Sequence, residues 1–248
     1  MIKIKSLHEI NKMRAAGKIV AEVFEVLKPI IVPGITTQEL DKVAAEHIKK
    51  CGATCSFYNY SGYPGHVCIS LNNEVIHGIP GKRTLSDGDI VSVDVGACID
   101  GYHGDAARTF AVGEVTSKAK KLIEVTEESF WRGIEFARPG NRIGDISANI
   151  QKVVEENGFS VVRDFVGHGI GSALHEDPEV PNYGTEGRGP RLVPGMTIAV
   201  EPMVNIGAYQ VNTLSDDWTV VTADGKLSAH YENTILITND GAEILTKC

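Results

Sequence analysis

Apolar residues return at helical spacing over four stretches of the chain and alternate with polar ones over several others. Ile10, Met13, Val20, Phe24 and Leu27 mark one face of a first helix. Ser6-Leu7-His8-Glu9 supplies a capping box at its start, and Pro29 ends it. Gly17 falls on the same stripe, where a missing side chain lets another element come close. Thr36-Thr37-Gln38-Glu39 is a second capping box, with Ile35 and Leu40 placed as a hydrophobic staple. It opens a helix that runs to about Lys50, with Gly52 as its cap. Residues 117–136 and 143–156 read as two more helices, stopped by Arg138-Pro139-Gly140 and Asn157-Gly158. Period-two alternation is clearest at Val91, Val93 and Val95, set against Ser92 and Asp94. Asp100-Gly101 then supplies a hairpin turn, and a second extended run over 106–112 follows Asp105. Residues 67–72 and 75–78 read as a shorter hairpin closed by His77-Gly78-Ile79-Pro80.

The pattern occurs twice. Gly88-Asp89-Ile90-Val91-Ser92-Val93-Asp94 is echoed by Gly195-Met196-Thr197-Ile198-Ala199-Val200-Glu201, each a glycine and an apolar strand ending on a carboxylate. His103-Gly104-Asp105 is echoed by His230-Tyr231-Glu232. Upstream, Pro33-Gly34 followed by Leu40, Ala44, Ile48 and Gly52 matches Pro139-Gly140 followed by Ile146, Ile150, Val154 and Gly158. A repeat this long sets the architecture. It predicts one α+β domain over residues 1–248, built from halves of about 1–112 and 113–248, with helices backing a curved antiparallel sheet in pseudo-twofold symmetry. Taken singly, Asp94, Asp105, Glu201 and Glu232 would each read as a solvated acid at a strand end. Brought together by the repeat, they form a cluster that cannot stay ionised in a dry interior by itself. Either their pKa values rise or cations neutralise them, and two divalent ions are the simplest answer.

Composition narrows the partners. The net charge of −8 argues against non-specific nucleic-acid binding, which rests on basic surface. No apolar run reaches the ~20 residues of a membrane span, and MIKIKSLHEI carries no signal-peptide features. The five cysteines are odd in number and scattered, as expected for a reduced cytoplasmic protein. Cys51 and Cys55 have finger-like spacing, but no second pair follows to complete a zinc site. Residues 56–68 concentrate aromatics in a chain that is 6% aromatic. Gly167-His168-Gly169 places an imidazole between glycines, which leaves the ring uncrowded.

His77-Gly78-Ile79-Pro80, Asp94, His103-Gly104-Asp105, Gly167-His168-Gly169-Ile170-Gly171, His175-Glu176, Glu201-Pro202-Met203 and Glu232 together resemble the type I methionine aminopeptidases. The resemblance covers nearly the whole chain in order, lacks the zinc-binding extension of eukaryotic members, and looks like the minimal bacterial form. It implies the pita-bread (creatinase/aminopeptidase-like) fold. It also implies two divalent ions, with Asp94 on one, Asp105 and Glu232 bridging, and His168 and Glu201 on the other. A ligand set of carboxylates with one imidazole suits Mn, Fe, Co or Zn. By the same resemblance His77, His175 and Glu201 are catalytic. Phe57, Tyr60, Tyr63, Cys68, Leu174 and Trp218 line the methionine pocket together with His77 and His175. Asn72, Val75 and Ser228 hold a sodium or potassium ion. The implied substrates are N-terminal methionine peptides and nascent chains with a small second residue, met by a cytoplasmic monomer that makes a transient ribosome contact. Two positions depart from the family: Asn233 stands where histidine is usual, and His230 where many members carry glutamine. Period two puts His230 and Glu232 on one strand face, so His230 reads as a partner of the ligands. Two rivals remain, a proline-specific peptidase of the same fold and a non-catalytic peptide-binding module.

Overall fold

The structure, a computed structural model, describes residues 1–247. Helix α1 (Leu7–Leu27) starts where its capping box predicts: Glu9 N donates to the Ser6 hydroxyl, and Ser6 N donates to the Glu9 carboxylate at 2.7 Å. Thr36 and Glu39 repeat the device at α2 (Thr37–Lys50). Pro29 lies in a short 3₁₀ turn after α1. Helix α3 (Ser117–Ile134) stops at Ile134 rather than Phe136, and α4 spans Ile143–Glu156 as the pattern predicts.

The sequence repeat becomes two sheets. In the first half Ile90–Ile99 and Tyr102–Ala111 form a hairpin in unbroken register, from Ile90 opposite Ala111 to Ile99 opposite Tyr102. The other edge of Ile90–Ile99 pairs with Cys68–Leu71 and Thr54–Cys55. In the second half a five-stranded sheet runs in the order Ala242–Ile244, Asn233–Ile237, Thr197–Val200, Gly167–Gly169, Glu176–Val180. The sheets join where their acid-bearing strands meet. Glu232 N donates to the Ala107 carbonyl at 3.0 Å, and Ala107 N to the Glu232 carbonyl at 3.4 Å. At the step related to it by the repeat, the Thr234 hydroxyl accepts from Asp105 N at 3.0 Å and donates to the Asp105 carbonyl at 2.9 Å. Each half keeps its own core behind its strands. One core gathers Val20, Leu27, Leu40 and Ile48 with Val91, Val93 and Val95; the other gathers Leu122, Phe130, Ile146 and Ile150 with Ile198, Val200 and Ile235. The pseudo-twofold, curved antiparallel architecture expected from the repeat is therefore present.

One expectation needs correction. Cys68–Leu71 and Glu74–Ile76 flank a turn at Asn72, whose φ is +56°, but they do not form a two-stranded ladder. Cys68–Leu71 pairs with Ile90–Ile99, whereas Glu74–Ile76 pairs with Val220–Thr222. The polar groups of the turn are tied sideways: the Glu74 carboxylate accepts from Leu71 N at 2.7 Å, and the Asn72 side chain bonds Ile90 N and Asp89. Glu74–Ile76 therefore belongs to a separate sheet, whose other strands, Val211–Thr213 and Val220–Thr222, come from far away in sequence.

Gly17 does what its place on the stripe implies. A Cβ there would stand 2.2 Å from the Leu245 carbonyl oxygen, and one on Gly104 would stand 2.7 Å from Gly17 N. Helix α1 thus lies directly on the strand Tyr102–Ala111, which carries Asp105. Gly17→Ala is expected to cost about 1–3 kcal/mol through overpacking. Gly81→Ala, where an added Cβ meets nothing within 4 Å, should be close to neutral. Chemical denaturation of both variants checks the pair.

Candidate metal centre and adjoining pocket

Four carboxylates converge where the sheets join. Asp94 stands on Ile90–Ile99 opposite Ala107, and Asp105 stands on the partner strand opposite Gly96. Glu201 follows directly on Thr197–Val200, its carbonyl held by Asn182 Nδ2 at 2.9 Å. Glu232 precedes Asn233–Ile237 and is 2% exposed, and Asp105 is 3% exposed. His168 enters from the strand Gly167–Gly169, its Nε2 3.6 Å from Glu201 Oε1 and 3.9 Å from Asp105 Oδ2. Its other ring nitrogen, Nδ1, lies 2.8 Å from the Gly169 carbonyl. A carbonyl can only accept, so Nδ1 carries the proton and Nε2 presents its lone pair to the acids.

The glycines beside His168 serve a purpose other than leaving the ring uncrowded. A Cβ on Gly167 would stand 2.4 Å from the Ala199 carbonyl oxygen, and one on Gly169 would stand 2.1 Å from that of Asp177. They let the strands on either side close in, so that the imidazole is delivered from the middle of a sheet.

Burial dominates the electrostatics. It pushes the Asp94 carboxyl up to about 7 and that of Glu201 up to about 8. Asp105 and Glu232 rise well above the ordinary range, burial being reinforced by the neighbouring acids. Burial also lowers His168 to about 3, so the ring is neutral at physiological pH. Raised pKa values alone do not resolve the cluster. Asp94 Oδ1, Asp105 Oδ1 and Glu232 Oε1 are buried with no hydrogen-bond partner among the described residues. A protonated carboxyl would still need partners for those oxygens. A set of inward-facing oxygens and one neutral imidazole nitrogen fits divalent cations. Asp105, His168 and Glu232 can offer ligand atoms all within 4.8 Å of one another.

A cavity of about 240 Å³ opens onto the acids. Phe57, Tyr60, Tyr63, Cys68, Leu174 and Trp218 line it, as do His77, His175, Asp94, Asp105, His168, Glu201 and Glu232, so these sequence-derived positions meet in one place. Gly96 makes room for the slot, since a Cβ there would strike the Phe57 ring at 2.7 Å. Tyr63 meets Trp218 edge-on, with ring centroids 5.1 Å apart, and its hydroxyl donates to the Gly78 carbonyl at 2.9 Å. His77 has a φ of +59° and stands edge-on to Phe165 and Trp218. Burial lowers its pKa to about 4. His175 sits at the mouth, Nδ1 2.7 Å from the Tyr60 hydroxyl. Its neighbour Glu176 turns away. Burial alone would raise Glu176, but Lys5 at 2.7 Å and Lys3 at 3.0 Å hold it at about 2 and anchor the strand behind His175. His103 bonds Ser56 at 2.8 Å. Asn72 and Ser228 are neighbours, Ser228 N donating to the Asn72 carbonyl at 2.8 Å, with Val75 buried on the adjoining strand.

The pattern did not single out Ser61 or Arg108. Ser61 joins the cavity wall from a turn in which Asn59, Ser61 and Gly62 all have positive φ. Arg108 lies behind the centre, donating to the Glu232 carbonyl and, at 2.7 Å, to Asn233 Oδ1, with its guanidinium over the Tyr231 ring. A guanidinium directly after Ala106 and Ala107, on the strand that carries Asp105, was the available signal for it. His230 faces the acids without hydrogen-bonding them, its Nε2 3.6 Å from Glu201 Oε2 and 4.0 Å from Glu232 Oε2.

Stability should report the cluster. Asp94 and Glu201 have ordinary values of 3.8 and 4.5, which the folded chain raises to about 7 and 8. Between those limits the folded state binds more protons than the unfolded one, so stability falls as pH rises. In the presence of a chelator, the thermal midpoint is expected to drop steadily between pH 5 and 8. Added divalent cation should restore it, and most at the upper end. Calorimetric scans across that range check both.

The profile of metallopeptidase family M24 matches residues 11–239. The chain is 62% identical to a methionine aminopeptidase of Clostridium perfringens, over 99% of each protein. Its fold superposes on the crystal structure of methionine aminopeptidase from Thermotoga maritima with a TM-score of 0.99, at 50% identity and over the whole of both chains. The prolidase from Pyrococcus furiosus is more distant: TM-score 0.80 and 25% identity, covering 99% of this chain and 65% of that one. Among the described residues no helix is long and apolar enough to cross a membrane.

Proposed function

Because the chain belongs to metallopeptidase family M24, we infer that it is a metal-dependent aminopeptidase that removes the N-terminal methionine from peptides and nascent chains with a small second residue. The observation that carries this reading is the buried cluster of unpartnered carboxylate oxygens at the end of a short aromatic slot. Asp94, Asp105, His168, Glu201 and Glu232 would hold two divalent ions, from among Mn, Fe, Co and Zn. Such ions, when bound, polarise the scissile carbonyl and bring a water toward neutral pKa.

The remaining tasks fall to side chains. Phe57, Tyr63, Leu174 and Trp218 wrap an unbranched side chain, and sulfur–ring contacts there are worth about 0.3–1.5 kcal/mol each. At about 240 Å³ the cavity has room for one residue rather than an extended peptide. The slot closes against the acid cluster, so only a chain end fits there, which directs cleavage to the first bond. Where the Tyr60 hydroxyl donates to Nδ1 of His175, the second ring nitrogen carries a proton and can donate to the carbonyl oxygen as it gains negative charge. His77, neutral and held against two aromatic rings, is placed to bond the amide nitrogen of the leaving chain. Glu201 takes the proton from the attacking water and returns it to the leaving amine, a task suited to a carboxylate of raised pKa. A sodium or potassium ion at Asn72, Val75 and Ser228 would brace the turn beside the slot. The prolidase likeness keeps a proline-specific activity as the rival, disfavoured by its lower identity.

Metal-stripped protein titrated with Mn, Fe, Co or Zn should release free methionine from Met-Ala-Ser and leave Ala-Pro-Ala intact. Cleavage of the proline peptide alone would move the chain to the rival activity, and cleavage of neither by metal-loaded protein would contradict both. His175→Ala should lower kcat by about 10²–10³-fold with little change in KM, the loss typical of one donor to a developing oxyanion. Steady-state kinetics on the same peptide reads it.

A further inference from the structure

His230 is 1% exposed, and neither of its ring nitrogens has a hydrogen-bond partner among the described residues. An imidazole cannot be buried in that state without cost, because at least one nitrogen carries a proton and the other a lone pair. The ring is nevertheless aimed at acids. Its Nε2 stands 3.6 Å from Glu201 Oε2 and 4.0 Å from Glu232 Oε2, and the three residues can offer ligand atoms within 4.8 Å of one another.

These spacings nearly duplicate those of His168, whose Nε2 stands 3.6 Å from Glu201 Oε1 and 3.9 Å from Asp105 Oδ2. A hydrogen bond between imidazole and carboxylate closes to about 2.8–3.2 Å. Two donors that each stand about 2.1 Å from one ion are about 3.0–3.5 Å apart. Both histidines lie beyond the first range and beside the second. They approach opposite oxygens of Glu201, and each shares a triad with Glu232. His230 is carried on Ser228–His230, a strand fixed on one side by Met203–Asn205 and by Thr109, whose hydroxyl bonds both His230 N and the His230 carbonyl at 2.9 Å. The ring is therefore held in position.

We propose that His230 is a direct metal ligand, so that this centre carries two nitrogen donors: His168, beside Glu201 Oε1 and Asp105, and His230, beside Glu201 Oε2 and Glu232. The proposal rests on the reading that the cluster holds divalent ions. A second imidazole in place of an oxygen donor shifts preference from Mn toward Fe, Co and Zn.

Loss of affinity alone would not separate a ligand from a hydrogen-bonding partner, since either can cost ~10–100-fold. The count of bound imidazoles does. Each imidazole bound through one nitrogen keeps a proton on the other, and high-spin Co(II) shifts that proton far from the ordinary NMR range. Protein loaded with Co(II), with its histidines ¹⁵N-labelled, should show two such exchangeable N–H signals. His230→Gln should remove one of them and leave the signal of His168. A single signal in the unaltered, cobalt-loaded protein would overturn the assignment of His230 while leaving the metal reading intact. Failure of that protein to bind cobalt at all, by elemental analysis after gel filtration, would overturn both. The unaltered protein decides the matter even if His230→Gln does not fold.

Discussion

Desolvation of four carboxylates at one point is the constraint on which the rest of the structure depends. Each acid, buried alone, would protonate or draw in water. Placed together, their mutual repulsion adds to the penalty, and burial leads the causes that raise all four. The cluster is tolerable only in a frame stiff enough to hold it and in the company of positive charge. The frame comes from duplication: a large core in each half backs the strands that bring the acids together, and smaller clusters tie the halves to each other.

The joint between the halves is where stiffness and chemistry meet. Ala107 and Glu232 exchange backbone hydrogen bonds across it, Thr234 substitutes its hydroxyl at the matching step, and Arg108 fastens the Glu232 segment from behind. Apart from the Glu232 carboxylate, none of these residues lines the cavity. They fix the acid-bearing backbone so that the carboxylates have no route of retreat. Helix α1 presses on the same strand through Gly17 and Gly104, which links a packing detail near the N-terminus to the placement of Asp105. Outside this lies the cavity wall, built largely of aromatic residues: Phe57, Tyr60, Tyr63 and Trp218.

Much of this was legible in the chain because it was local or repeated. Capping boxes at Ser6 and Thr36 mark two helix starts to the residue, and the Asp94/Glu201 and Asp105/Glu232 echoes mark the acids that converge. What escaped was non-local. Nothing in residues 74–76 announces a partner at 220–222, since that pairing is a backbone ladder between segments far apart in the chain, and three residues are too few to show an alternation. Arg108 and Ser61 carry meaning only through what folds over them. The glycines around His168 were visible, but their reason lay in the strands that close on either side.

Buried as they are, these acids hold protons in the metal-free protein and surrender them when divalent cations bind. Calorimetric titration of metal-stripped protein with Mn or Co at pH 7, in buffers of different ionisation enthalpy, measures that exchange directly. Net release of more than one proton per protein molecule is expected, all of it from the acids because His168 and His230 are already neutral, and diminishing as the starting pH is raised toward 9. Binding of the same metals with no net proton release at pH 7 would contradict it.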